Sequence, residues 1–371
     1  EIYHTSRWPD GPLDLAGKRV GIIGTGSTAI QAAPILAEQC KHLTVFQRTP
    51  AYSMPSGNRP MDAAFERDWK DNYPDRRARM LDTYGVSIID YPTRSAHDFT
   101  PAEQREILEA GWASKSAFQL MVAFTDVMTD RAANEVVCEF VRGKIREIVK
   151  DPEVARKLMP QDLYAKRPLC DSGYYATYNR PNVKLLDVKA NPIAEITPKG
   201  VRTADGVEHE LDMLIFATGF DAVDGNYTKI DIRGRNGLSI KDHWKSGPTS
   251  YLGMTNVNYP NMFMVLGPNG PFTNLPPSIE TQVEWISELI SEVNAKDMST
   301  VEPTKSAEAS WTKTCQEIAG MTLFPKAESW IFGANIPGKS NTVYFYMAGL
   351  GAYRQQLSTV KSEGYQGFLF Q

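Results

Sequence analysis

Residues Gly17–Thr49 read GKRVGIIGTGSTAIQAAPILAEQCKHLTVFQRT. Val20 to Ile23 is a short apolar run with β-branched residues, the pattern of a buried parallel strand. Gly24-Thr25-Gly26-Ser27-Thr28-Ala29 follows at once and fits G-x-G-x-x-G/A. From Thr28 to Gln39 the spacing predicts a helix, with Ile30, Ala33, Leu36 and Ala37 near one face. Pro34 removes one backbone donor and weakens its later turns. Leu43 to Phe46 is a second strand. The order strand, glycine turn, helix, strand is the context that gives the motif its meaning.

Each small residue in the turn has a task. Gly24 permits the tight turn, Gly26 lets a pyrophosphate approach the backbone, and Ala29 lets the helix pack on the strand. The helix N-terminus offers free N–H groups and a positive dipole end to the phosphates. Thr25, Ser27, Thr28 and Gln31 join these three as candidate cofactor-binding residues. The end of the second strand separates cofactors. An NAD site places Asp or Glu there, whereas this chain has Gln47-Arg48-Thr49. A guanidinium at Arg48 suits a 2′-phosphate, so the sequence predicts NADP(H).

At 371 residues the chain has room for about two or three domains. A hydrophobic fraction of 42% and an aromatic fraction of 10% allow sizeable cores. The formal charge of −4 gives no basic field for nucleic acid. No apolar run is long enough to cross a bilayer, and Leu211 to Ala217 reads as a core strand. Cys40, Cys138, Cys170 and Cys315 are scattered without a CxxC pair, so a reduced, cytoplasmic protein is expected. His4, His42, His97, His209 and His243 show no metal-ligand spacing, and no metal site is expected. The first residue is Glu rather than Met, and the nucleotide unit follows a short preamble; both suggest that residues upstream are missing.

Trp8-Pro9-Asp10-Gly11 reads as a turn, and residues 1–12 as a linker into an NADP domain over 13–218. Residues 60 to 160 form a largely helical block within that domain, broken near Pro74. Thr100-Pro101-Ala102-Glu103 is a capping box with Pro at the first helical position. Asp130 to Lys150 carries Ala133, Val137, Phe140, Val141, Ile145 and Ile148 on one helical face. Lys166-Arg167 is a basic pair set among aromatic and apolar residues. Strands are expected at Val183–Leu186, Ile193–Thr197, Gly200–Thr203 and Glu208–Thr218, with Asp205-Gly206 as a hairpin turn. Composition changes at Phe220. Beyond it come a Pro/Gly/Asn-rich loop over Gly267–Pro277, helices over Ser278–Ala295 and Ser306–Met321, and a strand over Thr342–Tyr346. Met321 to Lys339, punctuated by Gly333, Pro337 and Gly338, reads as a long mobile loop.

Several segments together resemble those of the Baeyer–Villiger monooxygenases, the cyclohexanone-type members most. His4-Thr5-Ser6-Arg7-Trp8-Pro9 matches the second half of the F-x-G-x-x-x-H-x-x-x-W-P fingerprint. GTGSTA at 24–29, FQRTP at 46–50, LYAKRPLCDSGYY at 163–175, ATGFDAVDGNY at 217–227, LGPNGPFTNLPPSIE at 266–280 and SWIFGANIPGK at 329–339 are similar to family segments. The resemblance covers nearly the whole chain. It implies an α/β flavoprotein with two dinucleotide-binding domains: a Rossmann-like NADP domain with a helical insertion, then the C-terminal part of the FAD domain over 219–371.

The resemblance implies that NADPH reduces FAD, that O₂ adds to the flavin, and that the peroxyflavin converts a ketone to an ester or lactone. It assigns Arg167 to stabilising the peroxyflavin and the anionic adduct, a task suited to a permanent cation in a dry pocket. It places Lys166 with Arg48 and Thr49 at the 2′-phosphate. It puts Trp330 on the mobile loop over cofactor and substrate, Phe272, Thr273 and Leu275 facing flavin and substrate, and the Leu275 backbone near the flavin ring. Two departures stand out. The chain has one dinucleotide fingerprint, so the FAD-binding N-terminal region is expected as another part of the same polypeptide or as a second chain. Gly111 to Asp126 lacks the glycine- and phenylalanine-rich run of cyclohexanone-type members, a stretch that helps wall the substrate pocket. A flavin monooxygenase acting on amines or sulfides is a second reading, and an NADP-binding module without its own chemistry is a third.

Overall fold

The computed structural model describes residues 1–89, 91–116 and 118–371. The chain forms two compact units: Glu1–Arg59 with Tyr91–Phe220, and Pro60–Asp90 with Asp221–Gln371. The first opens with β1 (Ile2–His4), β2 (Arg19–Ile23), α1 (Ser27–Gln39), β3 (His42–Gln47) and β4 (Ser53–Pro55). Next along the chain are α2 (Ala63–Asp71) and α3 (Tyr73–Leu81), which belong to the second unit. The first unit resumes with α4 (Pro101–Ser114), α5 (Arg131–Ile148), α6 (Pro152–Leu158), β5 (Leu169–Asp171), α7 (Tyr174–Thr177), β6 (Val183–Asp187), β7 (Ile193–Thr197), β8 (Gly200–Thr203), β9 (Glu208–Glu210) and β10 (Met213–Phe216).

The main sheet has the order β1-β10-β2-β3-β6, and every neighbouring pair is parallel. Val20 sits beside both Met213 and Leu43, so the apolar run read from sequence is buried between two neighbours. Helix α1 lays Ala29, Ile30, Ala33, Leu36 and Ala37 into this core and passes through Pro34 to Gln39. On α5 the buried positions include Ala133, Val137, Val141 and Ile145, one face of the helix. Thr100 caps α4 with a complete capping box.

Two expectations for this unit are corrected besides the linker over 1–12, whose Ile2–His4 is a strand of the main sheet paired with β10. The strand expected over Glu208–Thr218 is split between two sheets. β9 ends an antiparallel meander with β8, while β10 joins the main sheet. The switch falls at Asp212, whose carboxylate accepts from Arg19 N at 2.7 Å and from the Arg19 guanidinium at 2.8 and 3.0 Å. The second correction concerns the helical block over 60–160. Its first part, through α3, packs in the second unit, because Val86 sits in that unit's core with Met80 and Leu81 against it. Arg77 pairs with Glu280 at 2.7 Å, and Arg354 with Asp82 at 3.1 Å.

The second unit continues with α8 (Ile240–His243), β11 (Gly270–Pro271), α9 (Leu275–Ala295), β12 (Val301–Pro303), α10 (Lys305–Gly320), β13 (Phe345–Tyr346), α11 (Gly349–Ser362) and β14 (Phe368–Phe370). Its core gathers Trp285, Leu289, Trp311, Tyr346, Leu350 and Tyr353. Helix α9 starts at Leu275, inside the expected loop, because Pro276 and Pro277 fall in its first turn, where missing N–H groups cost nothing. Between Met321 and Lys339 the backbone forms short 3₁₀ turns at Phe324–Lys326 and Trp330–Phe332. The strand expected over Thr342–Tyr346 is confined to Phe345–Tyr346.

Glu308 on α10 is a buried carboxylate in this unit. It accepts from Thr249 Oγ1 at 2.7 Å and Val257 N at 2.7 Å, with His243 Nε2 3.5 Å away. Burial, the largest single influence, pushes its pKa up, but the hydrogen bonds from His243, Thr249 and Val257 outweigh it and the net direction is down. A folded-state pKa below the unfolded one adds stability above the unfolded value and loses it as pH falls through the folded value. The melting temperature is therefore expected to fall below about pH 4, and Glu308→Gln to flatten that acid limb. An unchanged acid limb in thermal melts of the variant would refute this.

Candidate active site

Gly24 has φ +119°, and a Cβ there would lie 2.3 Å from Ala217 O, so the turn itself demands glycine. Gly26 is different. Its φ is −82°, open to any residue, and a Cβ would meet nothing within 4 Å. This exposed position therefore leaves space beside the backbone that a ligand could fill. Gly26 is also the N-cap of α1 and supplies no side-chain cap, so the first-turn N–H groups of Ser27, Thr28 and Ala29 face outward for an anion. Thr25 Oγ1 donates to Thr49 O at 2.6 Å and ties the glycine turn to the end of β3. Gln31 lies one turn along, its Nε2 3.4 Å from Cys170 O. The site fits a dinucleotide pyrophosphate.

The cations differ in state. Arg48, just past β3, is exposed and has no hydrogen bond or ion pair among the described residues. Lys166 is paired with Asp162, four residues earlier, with both side chains 33% exposed. Arg167 is exposed and likewise makes no hydrogen bond or ion pair among the described residues. The dry surroundings expected for it are thus not formed within the first unit, because its neighbours Ala165 and Pro168 take the buried positions. Asp171, buried, caps α7 through Gly173 N at 2.8 Å and Tyr174 N at 2.7 Å and also accepts from Ser53 Oγ. It fixes the end of the segment that carries Lys166 and Arg167.

In the second unit, Phe272 packs on Phe345 at 4.9 Å between ring centroids and on Phe324 at 6.0 Å. Trp330 stands edge-on to the same Phe345 at 6.0 Å. Two of the expected substrate-facing residues are thus brought together through Phe345, which sequence reading missed. Its strand contact with Gly270–Pro271 could not be read from spacing. Thr273 Oγ1 is 2.6 Å from Ser278 Oγ, and Leu275 is exposed at the start of α9.

A second glycine turn between strand and helix emerges here: β13, then Gly349-Leu350-Gly351 opening α11. Its space is filled by protein. A Cβ on Gly349 would lie 2.7 Å from Tyr84 Cα, one on Gly351 2.6 Å from Asp82 O, and Leu350 N donates to Tyr84 O at 3.2 Å. Among the described residues, the FAD pyrophosphate has no cradle comparable to that at Gly24–Ala29. A groove of about 380 Å³ between α4 and α5, lined by Leu108, Val136 and Phe140, touches none of these candidates. Of the expected pocket-wall segment Gly111–Asp126, position 117 lies outside the described residues. Among the described residues no helix is long and apolar enough to cross a membrane.

No family model matches the chain. It is 56% identical over 369 residues to a cyclohexanone 1,2-monooxygenase of Acinetobacter sp, covering 99% of this chain and 68% of that protein. It is 55% identical over 369 residues to a Baeyer–Villiger monooxygenase of Pseudooceanicola batsensis, with 99% and 68% coverage. The chain belongs to the Baeyer–Villiger monooxygenases. The crystal structure of cyclohexanone monooxygenase from Rhodococcus sp. Phi1 bound to NADP⁺ superposes with a TM-score of 0.98 at 54% identity, covering 100% of this chain and 70% of that one. As expected from the two-domain flavoprotein resemblance, this monooxygenase has the α/β architecture of the family.

Proposed function

We propose that the protein is an NADPH- and FAD-dependent oxidoreductase that inserts one oxygen atom of O₂ into cyclic ketones such as cyclohexanone, giving lactones. The observation that carries this reading is the glycine turn at Gly24–Gly26, open to a pyrophosphate, in a chain more than half identical to a cyclohexanone 1,2-monooxygenase and to a Baeyer–Villiger monooxygenase. FAD supplies the oxygen-activating chemistry when bound. The chain's own residues do the rest of the work assigned here. Gly24–Ala29 and the first turn of α1 hold the NADP pyrophosphate. Arg48, Thr49 and Lys166 take the 2′-phosphate. Arg167 offers its planar guanidinium to the negative charge that develops on the ketone oxygen. Phe272 and Trp330 form an apolar wall that excludes water. Gas chromatography of cyclohexanone incubated with the intact enzyme and NADPH tests the proposal. Lactone in step with NADPH consumption is expected, and NADPH consumption without lactone would overturn it.

The same reading sets a cofactor preference. Among the described residues Arg48 has no partner to give up, so a 2′-phosphate gains a charge-assisted contact there. Arg48→Ala is expected to weaken NADPH binding about tenfold, the lower part of the range for a hydrogen bond to a charged group, and to leave NADH binding nearly unchanged. Equal losses for both nucleotides in equilibrium titrations would contradict the assignment.

A further inference from the structure

The two cations assigned to the 2′-phosphate sit on segments far apart in sequence. Arg48 follows β3, and Lys166 follows α6. Something must hold their spacing, and Tyr52 lies where the two segments meet. Its hydroxyl is 2.8 Å from Asp162 O and 3.3 Å from Pro160 O. It also receives Arg142 Nη2 at 3.3 Å. The Arg142 side chain, 11% exposed, pairs with Glu135 at 2.6 Å and sends Nε to Pro160 O at 2.8 Å. On its own segment, Tyr52 is bracketed by Tyr175, whose hydroxyl donates to Ala51 O at 3.1 Å and accepts from Ser53 N at 3.1 Å.

The far end is equally fixed. The backbone oxygen of Asp162 faces Tyr52, while its carboxylate holds Lys166. Fully buried Asn134 accepts from Tyr164 N at 2.9 Å and donates to Tyr164 O at 3.1 Å. The Tyr52 ring packs on Tyr164 at 5.2 Å. The chain of contacts thus runs from the Arg48 segment through Tyr52 and Asp162 to the Lys166 ammonium.

We infer that Tyr52 is a positioning residue for NADP, a strut whose hydroxyl sets the distance between the Arg48 and Lys166 segments and so tunes recognition of the 2′-phosphate. The inference rests on the proposed placement of those two cations. A site held by its supporting contacts binds an anion of fixed size better than one whose walls drift. NADH, which lacks the 2′-phosphate, does not read that distance.

Tyr52→Phe removes the hydroxyl and keeps the ring against Tyr164. The test is an equilibrium titration of the intact enzyme with NADPH, NADH and 2′,5′-ADP, beside Lys166→Met. Tyr52→Phe is expected to weaken NADPH and 2′,5′-ADP about fivefold, as loss of one hydrogen bond would, with NADH changed less than about twofold. Lys166→Met is expected to lower the NADPH preference further. If Tyr52→Phe keeps the NADPH-to-NADH ratio while Lys166→Met lowers it, the strut is refuted and the Lys166 assignment stands. Equal weakening of both nucleotides by Tyr52→Phe also refutes it, since a general structural loss would do that. If Lys166→Met leaves the ratio intact, the underlying placement of Lys166 fails and the inference falls with it.

Discussion

Arg167→Ala is expected to lower lactone formation from cyclohexanone by about three orders of magnitude, the scale set by removing one donor aimed at a developing oxyanion. NADPH consumption should persist in the same variant. The reason is how the side chain is left. Lys166 is paired with Asp162, whereas Arg167 makes no hydrogen bond or ion pair among the described residues. Its segment is nevertheless anchored before it by Asn134 at Tyr164 and after it by Asp171. An anchored backbone carrying such a guanidinium suits a charge that appears only during the reaction. Arg167→Lys keeps the charge but loses the planar fork, so an intermediate rate is expected. Product yield per NADPH consumed is the measurement. A variant that makes lactone at the normal yield would remove Arg167 from the chemistry.

The nucleotide unit was legible because its signals are local. Val20–Ile23, the glycine turn and the apolar face of α1 sit within one stretch, and strand pairing follows from burial on both sides. The rest depended on contacts between distant residues. The sequence of α2 and α3 reads as a charged surface helix pair; it is Val86, beyond them, that assigns the segment to the second core. Gly349-Leu350-Gly351 went unread in the sequence, and what fills its space, Asp82 and Tyr84, lies far along the chain. Asp162 could not be found from its i,i+4 spacing to Lys166, because that rule holds on helices and the segment between them is irregular. Nor could Tyr52, because its role exists only where two loops meet. That Arg48 and Arg167 make no hydrogen bond or ion pair among the described residues is likewise invisible in sequence, where a basic residue does not announce its partner.

Lys339→Met is expected to destabilise the second unit by about 3 kcal/mol, the scale for removing one partner of a buried ion pair. Lys339 ends the segment that carries Trp330. Its Nζ is 2.6 Å from Asp221 Oδ1 and 3.1 Å from Ala222 O, also contacts Asp224, and sits 4.8 Å from the Tyr344 ring centroid. The lysine side chain is 11% exposed and that of Asp224 13%. Burial alone pulls the lysine pKa down and is the largest single influence, yet the hydrogen bonds and charges of Asp221 and Asp224 raise it overall. The ammonium is therefore held charged, and its removal leaves two carboxylates facing each other without a counter-charge. The damage should be local as well. With its last residue unpinned, the stretch from Met321 to Lys339 should exchange its amide hydrogens faster, and the edge contact of Trp330 with Phe345 should loosen. Asp221→Asn combined with Asp224→Asn in the Lys339→Met background should recover part of the loss, because the repulsion goes with the charges. Denaturant unfolding of the variants, with hydrogen exchange over residues 321–339, tests both statements. A Lys339→Met protein with unchanged midpoint and unchanged exchange would show that this triad does not hold the segment in place.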